Sequence, residues 1–232
     1  MSHRGAVLIL GVKHATVDLL MYGVPNFEPN FFRDPHTLIE VLGAELNGLI
    51  GKTFEDYWVM WDLREDVHYT DGPVVLKIGG EPYEFVARDL DKFSITRARV
   101  DLLSPLDWYG AGDELPLAWR TQTETAINQL IGRTVSGIDI LLYALTTDLI
   151  FAKESPSELA QSHTSAQMLH GLELAFETDA DRAGPNYLQI WNALDATGIS
   201  SSMEVAAYEG LTRVALSLPS NRWPPSQLLP SR

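Results

Sequence analysis

The stretch LNGLIGKT, residues Leu46–Thr53, returns later in the chain as INQLIGRT, residues Ile127–Thr134. Each copy places apolar residues at helical spacing in front of a glycine, and glycine is the residue that most often ends a helix. Each copy therefore predicts the end of an amphipathic helix. Such a helix needs a neighbouring surface on which to bury its apolar face.

Residues upstream of each copy predict where the helix begins. Before the first copy, Asp34 is placed to cap the helix and Pro35 to occupy its first turn. Before the second copy, Thr121 and Glu124 have the spacing of a capping box. Two amphipathic helices, one before Gly51 and one before Gly132, are therefore expected.

After each glycine the apolar period changes from helical to alternating, which is typical of a strand with one buried face. The two copies stay in phase, so the same face is expected to be buried in both. The residues predicted to be buried are Tyr57, Val59 and Trp61 after the first glycine and Ile138, Ile140 and Leu142 after the second.

Further similarities follow in the same order. The segment GPVVLKIGG matches HGLELAFET, and PYEFVARDLD matches NYLQIWNALD. Because internal repeats reveal architecture, these matches predict a tandem duplication with an α+β fold. In this fold a helix is followed by an antiparallel β-meander, and two similar units pack about a pseudo-twofold axis.

The expected domain organisation follows from the repeats. Residues 1–33 should form N-terminal strands and a link, 34–110 the first repeat, 111–223 the second repeat with insertions, and 224–232 a flexible tail. The segment 144–169 contains Ser-Pro and is predicted to be a loop with a short helix from Pro156. The segment 200–210 has helical composition.

Composition limits the partners and cofactors. The net charge of -14 disfavours nucleic acid, because binding a polyanion depends on Lys and Arg, and it favours a basic protein. The chain has no cysteine, which excludes disulfides and thiolate chemistry. No apolar run approaches the roughly 20 residues that cross a bilayer, so we expect no membrane insertion and a soluble, cytoplasmic protein. No cofactor is expected.

The densest polar segment is WDLREDVHYTDG, residues 61–72. Its spacing matches no known metal loop, and Asp71-Gly72 is typical of a turn between strands. We predict a solvated loop in which Asp62, Glu65 and Asp66 contact a partner. The alternative is a metal-assisted hydrolase site that uses the acidic residues together with His68. We assign no catalytic or metal-binding residue.

Two aromatic positions are further candidates for binding. Trp58 points to the face of its strand opposite to Tyr57, where it is either covered or part of an interface. Trp191 and Asn192 place an aromatic ring beside an amide, which suits a flat ligand or a partner residue, although packing of Trp191 under a loop is the alternative.

Two aspartates occupy matching places after similar strands. Asp91 and Asp195 each follow a leucine, Leu90 and Leu194 respectively. Aspartate just past a strand commonly binds backbone N–H groups, so a turn-stabilising role is predicted for both.

These observations favour a non-catalytic, acidic protein-binding protein of the inhibitor or immunity type. No serine-nucleophile, phosphate-loop or zinc-binding motif occurs in the sequence. Two alternatives are a metal-assisted hydrolase built on Asp62, Asp66, His68 and Asp71, and a structural subunit that forms a homodimer.

Overall fold

The structure is a computed structural model that describes residues 21–152, 159–178, 184–201 and 210–216. In this part of the chain most of the regular structure is strand, and the two α-helices are α1 (Pro35–Asn47) and α2 (Thr125–Asn128). The strands, in chain order, are β1 (Phe31–Phe32), β2 (Phe54–Asp62), β3 (Val67–His68), β4 (Val74–Ile78), β5 (Glu81–Arg88), β6 (Lys92–Arg97), β7 (Leu117–Thr121), β8 (Val135–Ala152), β9 (Leu159–Phe176), β10 (Tyr187–Asn192), β11 (Thr197–Ser200) and β12 (Leu211–Ala215).

The strands form two antiparallel sheets. The first sheet has the order β1-β6-β5-β4-β2-β3, and β7 also pairs with β2. The second sheet has the order β11-β10-β9-β8-β12. Chain neighbours pair through hairpins in both sheets, and antiparallel pairs joined in this way need only short connections. The tips of these hairpins position the candidate site described below.

One hydrophobic core lies between the inner faces of the two sheets. It contains Tyr57 and Phe85 from the first sheet, Leu172 and Ile190 from the second, and Leu38 from α1, all of them fully buried. Because successive residues of a strand point to opposite faces, this core takes every second residue of the central strands.

The outer face of the first sheet has a smaller core of its own. Met60 and Val86 point away from the main core and pack with Tyr22, Val24 and Phe27. Aromatic rings extend this cluster towards the surface, where Trp108 contacts Tyr69 edge-on with ring centroids 4.9 Å apart. The first sheet is therefore covered on both faces.

Helix α1 begins as its sequence predicts. The Asp34 carboxylate accepts a hydrogen bond from the backbone N–H of Thr37 at 3.0 Å, and Pro35 occupies the first turn. After the helix, Gly51 has a φ of +83°, which is a left-handed conformation that glycine adopts without steric cost. The predicted start of this helix is confirmed.

The two copies of the repeated stretch lie against each other. The N–H of Gly51 donates to the carbonyl of Val135 at 2.8 Å, and the N–H of Gly132 donates to the carbonyl of Phe54 at 2.8 Å. Between these bonds Thr53 and Thr134 form an antiparallel bridge. The two similar sequences therefore form similar turns. These turns pair with each other directly before β2 of the first sheet and β8 of the second sheet.

The predicted fold class, an α+β tandem duplication of a helix and a meander, is wrong. The described residues are mostly β, and α2 has only four residues, so no second copy of α1 exists there. The predicted capping box fails because Thr121 belongs to β7, where it pairs with Trp58. Its hydroxyl donates to Asp56 at 2.5 Å, so it cannot cap α2.

The burial predicted from the alternating period is confirmed at five of six positions. Trp61 is half-buried and packs against the edge of the core. The other five side chains are at most 4% exposed: Tyr57, Val59, Ile138, Ile140 and Leu142.

Strands β8 and β9 form a hairpin of 18 residues on each side, and this hairpin replaces much of the loop predicted for residues 144–169. The pairing of β8 with β12 ends at Tyr143, and the pairing of β9 with β10 ends at Gly171. Beyond these two residues, among the described strands, β8 and β9 pair only with each other. The loop prediction is wrong for these strands. The helix expected from Pro156 lies outside the described residues.

Other predictions also concern residues that the structure does not describe, namely most of the N-terminal strands, the helical segment after Ser201 and the tail. The domain boundaries stay a prediction, and β7 of the predicted second unit pairs with β2 of the first. Within the described ranges, no helix combines the length and apolar character needed to cross a membrane.

Candidate functional site

The tips of two hairpins, β5–β6 and β10–β11, meet at one end of the two sheets. Asn192, at the end of β10, joins them: its amide nitrogen donates to the carbonyl of Asp89 at 2.9 Å. Its amide oxygen accepts from the backbone N–H of Asp195 at 3.0 Å. Asn192 is 2% exposed, so both ends of its amide are used inside the protein. The structure places this predicted binding residue in a supporting position.

Asp195 adds a second bond across the junction. Its carboxylate accepts from the backbone N–H of Asp89 at 2.5 Å, and Asp89 belongs to the other hairpin, so the role predicted for Asp195 within its own turn stays a prediction. Asp91 lies at the neighbouring tip and forms an ion pair with Arg33 at 3.5 Å. A third link comes from Thr197, whose hydroxyl accepts from the N–H of Ala87 at 3.0 Å. The junction between the tips is therefore fixed by backbone and side-chain bonds together.

The β10–β11 turn has an unusual backbone. Leu194 and Asp195 have φ values of 61° and 77°, a left-handed conformation that residues with a side chain rarely adopt. The turn is closed by a bond from the N–H of Ala193 to the carbonyl of Ala196 at 2.7 Å. Leu194 is 81% exposed at the tip. The hydrogen bond within the turn thus keeps the large apolar side chain of Leu194 exposed to solvent.

A cleft lies between the hairpin tips and the outer face of the second sheet. We call it the hairpin cleft; its volume is 290 Å³, and it is lined by Leu90, Tyr143, Met168, His170, Trp191, Asn192, Ala193 and Leu194. Most of this lining is apolar or aromatic. The volume is at the lower end of the range for ligand pockets in proteins, which suits a single side chain or a small ring compound.

Trp191 forms one wall of the cleft, where one glycine makes room for its indole and a second makes room for the backbone of β10. A Cβ atom on Gly198, its partner across the β10–β11 pair, would lie 2.5 Å from Cε2 of the indole. A Cβ atom on Gly171 would lie 2.2 Å from the carbonyl oxygen of Ile190. The indole therefore packs against Gly198 and is half-buried. This predicted binding residue is at the cleft.

Tyr143 and His170 form the facing part of the lining. Their ring centroids are 5.8 Å apart, and the ring planes are inclined by 35°. Burial lowers the pKa of His170 to about 4, so its imidazole is neutral at pH 7. Its Nε2 atom is buried and has no hydrogen-bond partner among the described residues. Sequence reasoning missed both rings, because Tyr143 is out of phase with the predicted buried positions Ile138, Ile140 and Leu142.

The acidic loop, residues 62–71, is held together by its own carboxylates. Asp62 is 8% exposed and accepts from the backbone N–H groups of Arg64 at 2.7 Å and Glu65 at 3.1 Å. Asp62 is therefore a turn-forming residue, whereas the side chain of Glu65 is exposed. Two predicted contact residues thus have different environments.

Asp66 is engaged as well. Its carboxylate accepts from the indole N–H of Trp61 at 2.9 Å and pairs with Arg120 at 2.8 Å. The guanidinium of Arg120 lies over the indole of Trp61, 5.0 Å from the ring centroid. The bond from Trp61, followed by that from Arg120, lowers the pKa of Asp66. Its negative charge is therefore matched by a cation of the same protein.

The remaining polar residues of this loop do not form a metal site. Burial lowers the pKa of His68 to about 4. The pKa of Asp71 is raised, mainly by burial and then by the charge of Asp195. Among the described residues, no group of three or more His, Asp or Glu is arranged to hold a metal ion. The hydrolase alternative therefore has no supporting cluster in this region.

Trp58, the other aromatic candidate, lies on β2, whereas the residues that line the hairpin cleft lie on other strands and turns. It is half-buried and pairs with Val75 of β4 and Thr121 of β7. It lies on the face of β2 opposite to Tyr57, as its position predicts. It is not among the described residues that line the hairpin cleft.

Comparisons with models of protein families, with curated proteins and with solved structures return no match for this chain.

Proposed function

We propose that this protein is a non-catalytic protein-binding protein that contacts its partner through the hairpin cleft. The observation that carries the proposal is the cleft itself, a preformed apolar depression flanked by Leu90, which is 51% exposed, and Leu194, which is 81% exposed. Exposed apolar residues grouped around a depression are typical of interaction sites, because burying them releases water.

The rigidity of the rim supports the same proposal. Strained backbone costs free energy and persists where the surrounding structure holds it in place. Here Asn192 and Asp195 stabilise a turn that keeps Leu194 exposed. A rim that is fixed before binding loses little conformational entropy when a partner arrives.

Charge supports a basic partner. The chain carries a net charge of -14, and the pKa of Asp71 is raised mainly by burial and further by the nearby carboxylate of Asp195. A cationic group of a partner beside these carboxylates would relieve their repulsion. An inhibitor or immunity role against a basic protein fits this charge, and the acidic surface would mainly increase the association rate.

The test is site-specific photo-cross-linking in the producing cells. A benzophenone amino acid replaces Leu194 in one variant and Val41, which is 58% exposed on α1, in the control variant. We expect a discrete adduct from position 194 and none from position 41. Equal adduct patterns from both positions would overturn the proposal. An adduct with the mass of two copies of this chain would also overturn it, in favour of a homodimer.

A further inference from the structure

We infer that the hairpin cleft receives one uncharged aromatic side chain from the partner protein. This inference rests on the proposed function and specifies the chemistry that the cleft recognises. The size of the cleft, the uncharged character of the described residues that line it and the arrangement of its rings support this inference.

The lining excludes charged groups. Among the described residues that line the cleft, none is Asp, Glu, Lys or Arg, and His170 is neutral at pH 7 because burial lowers its pKa to about 4. A charged side chain would lose its hydration on entry without gaining a counter-charge. The recognised group is therefore uncharged, and charged residues of the partner must remain outside the cleft.

The rings favour an aromatic over an aliphatic group. The Trp191 indole rests on Gly198, and the Tyr143 and His170 rings lie 5.8 Å apart at an inclination of 35°. Aromatic rings gain from tilted and offset contacts beyond the area that they bury. A volume of 290 Å³ accommodates one such ring system.

The experiment uses the full chain and three capped amino acids as probes: N-acetyl-tryptophanamide, N-acetyl-leucinamide and N-acetyl-lysinamide. Binding is followed by NMR titration of the protein. We expect the tryptophan probe to bind with a dissociation constant of about 1 mM. The leucine probe should bind about fivefold more weakly. The lysine probe should not bind. Similar binding of all three probes would overturn the inference.

Variants locate the site of binding. Trp191→Ala should abolish binding of the tryptophan probe, and Trp58→Ala, which removes a tryptophan on another strand, should leave it unchanged. Leu194→Glu, at an exposed turn position, should weaken binding without altering the circular dichroism spectrum. Undiminished binding by both cleft variants would contradict the assignment of the site.

The two proposals fail in different ways. If the tryptophan probe does not bind while cross-links still form from position 194, the protein-binding function stands and the aromatic occupant is wrong. If the probe binds to the cleft but position 194 forms no adduct, the cleft chemistry stands and the protein-binding function falls.

Discussion

Replacement of Asn192 by alanine should destabilise the fold, because this one amide joins the two hairpin tips. The substitution removes the donor to the Asp89 carbonyl at 2.9 Å and the acceptor for the Asp195 N–H at 3.0 Å. Each buried group left without a partner costs about 1–3 kcal/mol. Water can reach the exposed tips and replace part of this loss, so we expect about 2–3 kcal/mol in total.

The assay is urea denaturation followed by tryptophan fluorescence, supported by thermal melting. For a chain of this size the expected loss corresponds to a melting temperature lower by about 5–10 °C. The control is Asn47→Ala, which truncates an exposed asparagine at the end of α1 and should change the free energy of unfolding by less than about 0.5 kcal/mol. Equal effects of the two substitutions would refute the role given to Asn192.

Three further outcomes are expected. First, His68 and His170 have pKa values lowered from 6.5 to about 4, so the unfolded state binds more protons between these values. Urea denaturation should therefore show stability falling from pH 6.5 to pH 4, by up to about 3 kcal/mol for each histidine; a flat profile would contradict their burial. Second, Gly198→Ala should displace the Trp191 indole and cost about 1–3 kcal/mol, with a shifted fluorescence maximum as the readout. Third, the raised pKa of Asp71 means that its charge destabilises the folded state above that pKa, so Asp71→Asn should raise the melting temperature at pH 7 and have no such effect below pH 3.8. A lower melting temperature at pH 7 would count against it.

Local sequence signals predicted α1 and the buried strand faces correctly. Asp34 and Pro35 determine the start of α1 through bonds within one turn, so neighbouring residues suffice to recognise it. The alternation from Tyr57 and from Ile138 likewise identifies the buried face, because a strand that covers a core buries every second residue.

The predictions of a full second helix and of a loop at residues 144–169 were wrong because tertiary contacts determine the structure of both segments. Thr121 resembles a helix cap, but its strand pairs with β2 and its hydroxyl bonds to Asp56. The chain after Tyr143 contains polar residues and Ser-Pro, a pattern that predicts a loop. Pairing between β8 and β9, which no single segment reveals, makes most of it strand.

The candidate site was recognised in part. Trp191 and Asn192 were identified because an aromatic ring next to an amide is a distinctive pair, but the supporting role of Asn192 requires the distance to Asp89. Tyr143 and His170 come together across a β8–β9 register with an irregularity beside Leu141 and Leu142. Contacts between distant segments of this kind are not encoded in local sequence patterns.

The most direct measurement of the central claim is the affinity of the full chain for the partner recovered by cross-linking, determined by calorimetry for two variants. Leu194→Asp places a charge at the rim of the hairpin cleft, and Val41→Asp places the same charge on exposed α1. If the cleft is the contact site, the first variant should bind at least about tenfold more weakly than the unmodified protein, and the second should bind equally well. Equal affinities for the two variants would contradict the claim that the cleft binds the partner.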